Sequence, residues 1–117
     1  MIADRTPVLV GVGQFTERIE DPAYRGMSSV ELAAAAAAAA LADTGADAGA
    51  VAAVVDTVVG IRQFEISGRG RPPLGCSTNY PRSVAGRIGA SPRRAVLEPI
   101  GGQGPQHAVT EFAAAIH

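Results

Sequence analysis

The strongest constraint on how this chain folds is an alternation. Short apolar runs with no polar residue at every second place are separated by stretches carrying helix start and stop signals. Pro7-Val-Leu-Val-Gly-Val12-Gly and Val51-Ala-Ala-Val-Val55-Asp-Thr-Val-Val59-Gly are rich in β-branched residues. A strand wetted on one face alternates apolar and polar side chains, whereas a strand covered on both faces does not, so both runs are expected in a parallel sheet. Pro92-Arg-Arg-Ala-Val-Leu97 supplies a third strand. The resulting order, βαβαβα, predicts an α/β fold with a mostly parallel sheet and helices on both faces. In such sheets ligands bind beyond the carboxyl ends of the strands.

The helices between these runs are written in caps and breakers. Ser28-Ser-Val-Glu31 is a capping box, and it starts a helix through the alanine run to Ala42, stopped by Gly45 after Asp43-Thr44. The alanines suit close packing on a sheet or another helix; a low-complexity tract of high helix propensity is the plainer reading. Asp47 to Ala50 is then the turn into the second strand, and strand, helix and strand together make a βαβ unit with a right-handed crossover. Tyr80-Pro-Arg-Ser-Val-Ala-Gly-Arg-Ile88 forms a short helix capped by Thr78 or Asn79, with Pro81 in its first turn and Gly89 at its end. Gln14 to Met27 and Ile61 to Asn79 are loops.

Composition excludes several function classes. The net charge is -1, all ten cations are arginine, and no basic run is interleaved with aromatics, so nucleic acid is not an expected partner. One cysteine and two scattered histidines make neither a disulfide nor a zinc pattern, and no metal is expected. No segment reaches signal-peptide or membrane-span character, which leaves a reducing cytoplasm as the default location. With three Phe, two Tyr and no Trp, burial falls to alanine and the aliphatic residues, and a thin core results.

The site-shaped stretch is Gly101-Gly-Gln-Gly-Pro-Gln-His107, a glycine turn running straight into the last helix. A helix start presents unpaired N–H groups and the positive end of its macrodipole to an anion, a thiolate or an oxyanion. Pro105 falls in the first helical turn, where its missing N–H costs nothing. The turn holds no Cys, Ser or Lys. Gly101, Gly102, Gln103 and Gly104 are therefore the candidate acyl- or oxyanion-binding backbone, and His107, one turn on, is a candidate hydrogen-bond donor or base. The competing role for His107 is structural.

Other candidates are weaker. Arg62, Arg69 and Arg71 could meet phosphates or simply solvate a loop. Cys76, in Gly75-Cys-Ser-Thr78, could be a reactive thiol, but no histidine is near it in sequence and no helix starts there. Gly11-Val-Gly13 lacks the third glycine and the following helix of a dinucleotide fingerprint.

Thr6-Pro-Val-Leu-Val-Gly-Val-Gly-Gln14 resembles the opening strand of thiolase-like proteins, particularly the divergent branch labelled acetyl-CoA acetyltransferase. Asn79-Tyr-Pro-Arg-Ser-Val-Ala-Gly-Arg-Ile-Gly-Ala-Ser-Pro-Arg-Arg94 resembles that branch's helix and strand leading to the active turn. The resemblance implies a thiolase-like layered fold of which residues 1–117 are a partial N-terminal half, apparently truncated in its last helix. In thiolases the corresponding helix opens with a Cys-x-Ser-Gly-x-x-Ala type motif whose cysteine takes the acyl group. Laid on Gly102 to Ala108, that motif puts Gly102 at the nucleophile and Gly104 at the serine.

What the resemblance implies for function is an acyltransferase-like domain acting on or binding CoA thioesters, with acyl-CoA as ligand or substrate and no tightly bound cofactor. Gly102 argues against a covalent acyl-enzyme and leaves thioester binding or retro-aldol type chemistry open. The strand expected beside the first is absent, and an unpaired strand is an aggregation template unless another chain covers it. The isolated chain is therefore expected to be marginally stable and inactive, and to need either a homo-oligomer or the remainder of a longer thiolase-like subunit. The alternative is a non-catalytic, degenerate thiolase-like binding or partner module, or a truncated gene product.

Overall fold

In the computed structural model, residues 1–64, 67–99 and 101–117 are described. They form α1 (Ser29–Asp43), α2 (Ala48–Val54), β1 (Thr57–Ile61), α3 (Tyr80–Arg87), β2 (Arg94–Glu98) and α4 (Gly104–Ile116). β1 and β2 pair in parallel with Thr57 opposite Arg94 and Ile61 opposite Glu98. The ladder continues by one bond at each end, Arg94 N–H to Asp56 O at 3.0 Å and Arg62 N–H to Glu98 O at 2.9 Å.

The strand pleat sorts the helices onto two faces. Val58 packs with the cluster around Ala52, Ala85 and Ala90, and a side chain added at Gly60 would run into Tyr80 and Pro81 of α3. Thr57 and Val59, which point the other way, border the groove beneath α4. The result is a layered α/β arrangement with α1 and α3 on one side and α4 on the other. It is the fold class that the alternation of strand-like and helix-like stretches predicts.

The core is as thin as the composition implies. Its fully enclosed residues are small: Ala85 is 0% exposed, Ala52 1% and Ala90 4%, and a second cluster joins Val30, Ala34 and Val84. Ile88 borders both clusters, which makes α3 the element that ties α1, α2 and the sheet together.

Helix starts and stops fall close to where the caps place them. Ser28 caps α1: its hydroxyl accepts the Glu31 N–H at 3.3 Å, while Glu31 takes the Ser28 N–H at 2.8 Å. Gly45 ends the helix with φ +71. Asn79, rather than Thr78, caps α3 through the Arg82 N–H, and Pro81 sits in its first turn. Among the described residues no single helix is long and apolar enough to cross a membrane.

Two strand assignments need correction. Residues 51–54, expected in the second strand, belong to α2, a helix of 7 residues capped by Asp47, whose carboxylate accepts the Ala50 N–H at 2.8 Å. Asp47 to Ala50 is thus a helix start and not a turn, because alanine's helix propensity and a good cap prevail over Val51 and Val54. α2 leaves α1 at 109°, and the strand is confined to Thr57–Ile61. The βαβ unit observed is therefore β1, α3, β2.

The second correction concerns Pro7–Gly13, which forms no β-ladder with the described strands. It was expected to be buried on both faces, yet Leu9 is 83% exposed and Val10 66%. It lies instead along α1. The Val12 N–H donates to Asp43 Oδ2 at 2.9 Å, and side chains added at Gly11 or Gly13 would collide with the backbone of Ala36 and Ala40. A strand has no hydrogen bonds of its own, so β-propensity without a partner yields no strand. Glycine facing alanine lets the segment approach the helix backbone.

Candidate functional site

β2 ends at Glu98 and α4 begins at Gly104, so the glycine turn stands at the carboxyl end of the sheet, as the strand order predicts. Gly101 takes φ +146, and a side chain there would come within 2.9 Å of the Gln103 amide. Only glycine fits this conformation without strain. Gly104 is buried; an added Cβ would lie 3.3 Å from Pro99 O and 3.4 Å from Ile61, which brings the helix start tight against the strand ends.

The backbone donors at this helix start can be counted. Gly104 N–H is taken by Gly101 O at 3.0 Å, and His107 N–H by Gln103 O at 2.9 Å. Pro105 has none. Of the four N–H groups at this helix start, those of Gln103 and Gln106 have no bond among the described residues. Gln103 occupies the cap position without a side-chain cap bond. The Gly104 N–H is therefore closed, while the amides of Gly101 and Gly102, like those of Gln103 and Gln106, have no bond among the described residues.

Gly102, onto which the resemblance lays the nucleophile, is open to solvent space. A Cβ built there meets nothing within 4 Å, and its φ lies outside the region reserved for glycine. The site has room for a side chain that the sequence does not supply.

The structure adds a residue that sequence reasoning missed. Glu98 Oε1 lies 2.7 Å from His107 Nδ1, and the carboxylate side chain is 14% exposed against 55% for the imidazole. Glu111, one helical turn beyond, approaches His107 Nε2 at 3.7 Å, outside hydrogen-bond range. Together with Pro99, Gln103 and Gly104, the pair lines a hollow of about 260 Å³ beside the turn. It also stands at one end of a groove of about 500 Å³ between the sheet and α4, floored by Val59, Val96 and Phe112. Nothing in sequence spacing joins positions 98 and 107. The only clue was an acidic residue closing a strand just before the turn.

The remaining sequence candidates lie elsewhere. Cys76 is a free, exposed thiol that lines a separate groove with Ser28, Ser77, Arg82 and Arg87. Arg69 and Arg71 are exposed on the loop after β1, while Arg62 directly follows that strand; none of the three lines the hollows beside the turn.

The layered α/β fold is that of part of a thiolase-like protein. Among solved structures the chain is similar to the crystal structure of a monomeric SCP2-thiolase like protein type 1 from Mycobacterium smegmatis, at 59% sequence identity with a TM-score of 0.81. The match covers 99% of this chain and 22% of that one. No protein-family model and no curated protein matches the sequence.

Proposed function

We propose that this chain is the N-terminal portion of a longer thiolase-like subunit of the acetyl-CoA acetyltransferase kind, and that its glycine turn binds the acyl or oxyanion part of a CoA thioester. The observation that carries this reading is the similarity to the SCP2-thiolase like protein over 99% of the chain, a stretch that includes the turn. The Gln103 and Gln106 N–H groups supply the donors that a thioester oxygen needs. By itself the chain performs no acyl transfer, because Gly102 offers no nucleophile. The exposed run at Val8 to Val12 favours completion by the remainder of such a subunit or by a second copy. A reducing cytoplasm suits the free Cys76.

Isothermal titration of the purified chain with acetyl-CoA and with CoA tests the reading. Saturable binding, with acetyl-CoA tighter than CoA, is expected. Absence of binding to either at millimolar ligand would sink it. A second reading, a non-catalytic module that holds a thioester or a partner without turning it over, is favoured by the lack of any side chain at Gly102. Gly102→Cys separates the two. An acyl-enzyme seen by intact-mass measurement after incubation with acetyl-CoA favours a thiolase-type site, and binding without acylation favours the module.

A further inference from the structure

We propose that Glu98 and His107 form a proton-transfer pair at the glycine turn, in which His107 is the proton acceptor facing a bound thioester and Glu98 is its positioning residue. The proposal rests on the CoA-thioester reading of the same turn. Its basis is the geometry of the pair. Glu98 is held at the backbone by the last register position of the sheet, opposite Ile61, and by the bond its carbonyl accepts from Arg62. His107 is held by α4. Two elements therefore fix the two ends of a 2.7 Å contact.

That contact selects the tautomer. A carboxylate accepts and does not donate, so at 2.7 Å the nitrogen facing it must carry the hydrogen. In a neutral ring Nδ1 is then the donor and Nε2 keeps its lone pair. The imidazole is the more exposed member of the pair, 55% against 14% for the carboxylate, and both line the hollow shared with Gln103 and Gly104. Glu111 stands too far from Nε2 to occupy it, and is itself 71% exposed.

The reaction such a base supports is abstraction of a hydrogen from the carbon next to the thioester carbonyl. The C–H bond breaks as an N–H bond forms at Nε2, and the electron pair moves into the enolate. The Gln103 and Gln106 N–H groups are the donors at hand for the enolate oxygen. The proton returns from Nε2 or, after exchange, from solvent. No oxidant or further reactant is needed, and no nucleophile at Gly102 is required.

The test uses the full chain labelled with nitrogen-15, in alkaline buffer where imidazoles are neutral. His107 is expected as the Nδ1–H tautomer, and Glu98→Gln is expected to move it toward a mixture. Saturating acetyl-CoA is expected to shift the His107 ring together with the amides of Gln103, Gly104 and Gln106, with His117 unmoved. In deuterium oxide the acetyl hydrogens of acetyl-CoA should exchange. His107→Gln should slow that exchange by about 10²–10⁴-fold, the range removed with a general base, and Glu98→Gln by less.

If acetyl-CoA shifts the turn amides while the His107 ring and the exchange stay at background, the pair is only a clip between β2 and α4. The proposal then fails and the thioester reading stands. If neither turn nor ring responds, both fall. A ring that shifts without the amides also overturns the proposal. The ligand titration needs no variant, so it decides even where a substituted chain does not fold.

Discussion

The starts of α1 and α4 solve the same physical problem in opposite ways. Each helix begins with N–H groups that have no helical partner and with the positive end of a dipole. α1 closes its start internally: Ser28 and Glu31 exchange bonds, and the Ser28 hydroxyl adds a third at 2.7 Å to the same Glu31 oxygen. The Ser28 backbone N–H, and after it the hydroxyl, hold the Glu31 carboxyl below its ordinary value of 4.5. α4 has no side-chain cap and no acidic residue in its first turn. Its nearby carboxylate, Glu98, bonds to the His107 ring instead of the helix amides. α1 thus completes its own first-turn hydrogen bonds, whereas α4 leaves donors that water or a ligand can complete.

The largest effect that would sharpen this contrast comes from Gly101→Ala. It forces a side chain into a conformation suited to glycine and against Gln103, and a loss of about 1–3 kcal/mol is expected, read by urea unfolding and by faster amide exchange across α4. No loss would mean that the turn is not held in this shape. Ser28→Ala should cost about 1 kcal/mol in the same unfolding measurement, the usual value of an N-cap. Gln103→Ala, at the uncapped start, should leave stability nearly unchanged. Equal losses at the two caps would erase the distinction.

A smaller effect is set by pH. Because the folded state lowers the Glu31 carboxyl, its contribution is present above the ordinary value of 4.5 and is lost as pH falls through the lower folded value. The stability difference between the wild type and Glu31→Gln should therefore shrink as acid is added below 4.5. A difference that stays constant in acid would show that the carboxylate's charge plays no part. Smallest of all is Gly102→Cys, expected to change stability by less than about 0.5 kcal/mol because a side chain there meets nothing. Its thiol, at the open helix start, should react with iodoacetamide faster than Cys76. A slower reaction would mean that the α4 dipole is not available to a ligand.

Much of the fold was legible because local chemistry marks it. The Ser28 and Glu31 box, Asn79 with Pro81, and Gly45 and Gly89 at helix ends each act within a few residues, and each fell where its chemistry required. The strands were less legible. Val51 and Val54 are β-formers by residue type, yet Asp47 and the neighbouring alanines make them helical. Pro7 to Gly13 has strand composition, and whether such a run becomes a strand depends on a partner that no local pattern contains. The candidate site divides the same way: the glycine turn and His107 stood out in sequence, and Glu98 did not.

By itself the sequence determined where α1 and α3 start and stop and where α4 starts, that the architecture is layered α/β, and that the glycine turn carries no nucleophile. These follow from side chains acting on their own backbone within one or two turns. Only the tertiary structure decided that β1 pairs with β2 across α3, that residues 7–13 lie along α1, and that Glu98 meets His107. Those contacts join positions far apart or out of periodic register, and they exist only once the strand end and the helix start have been packed against each other.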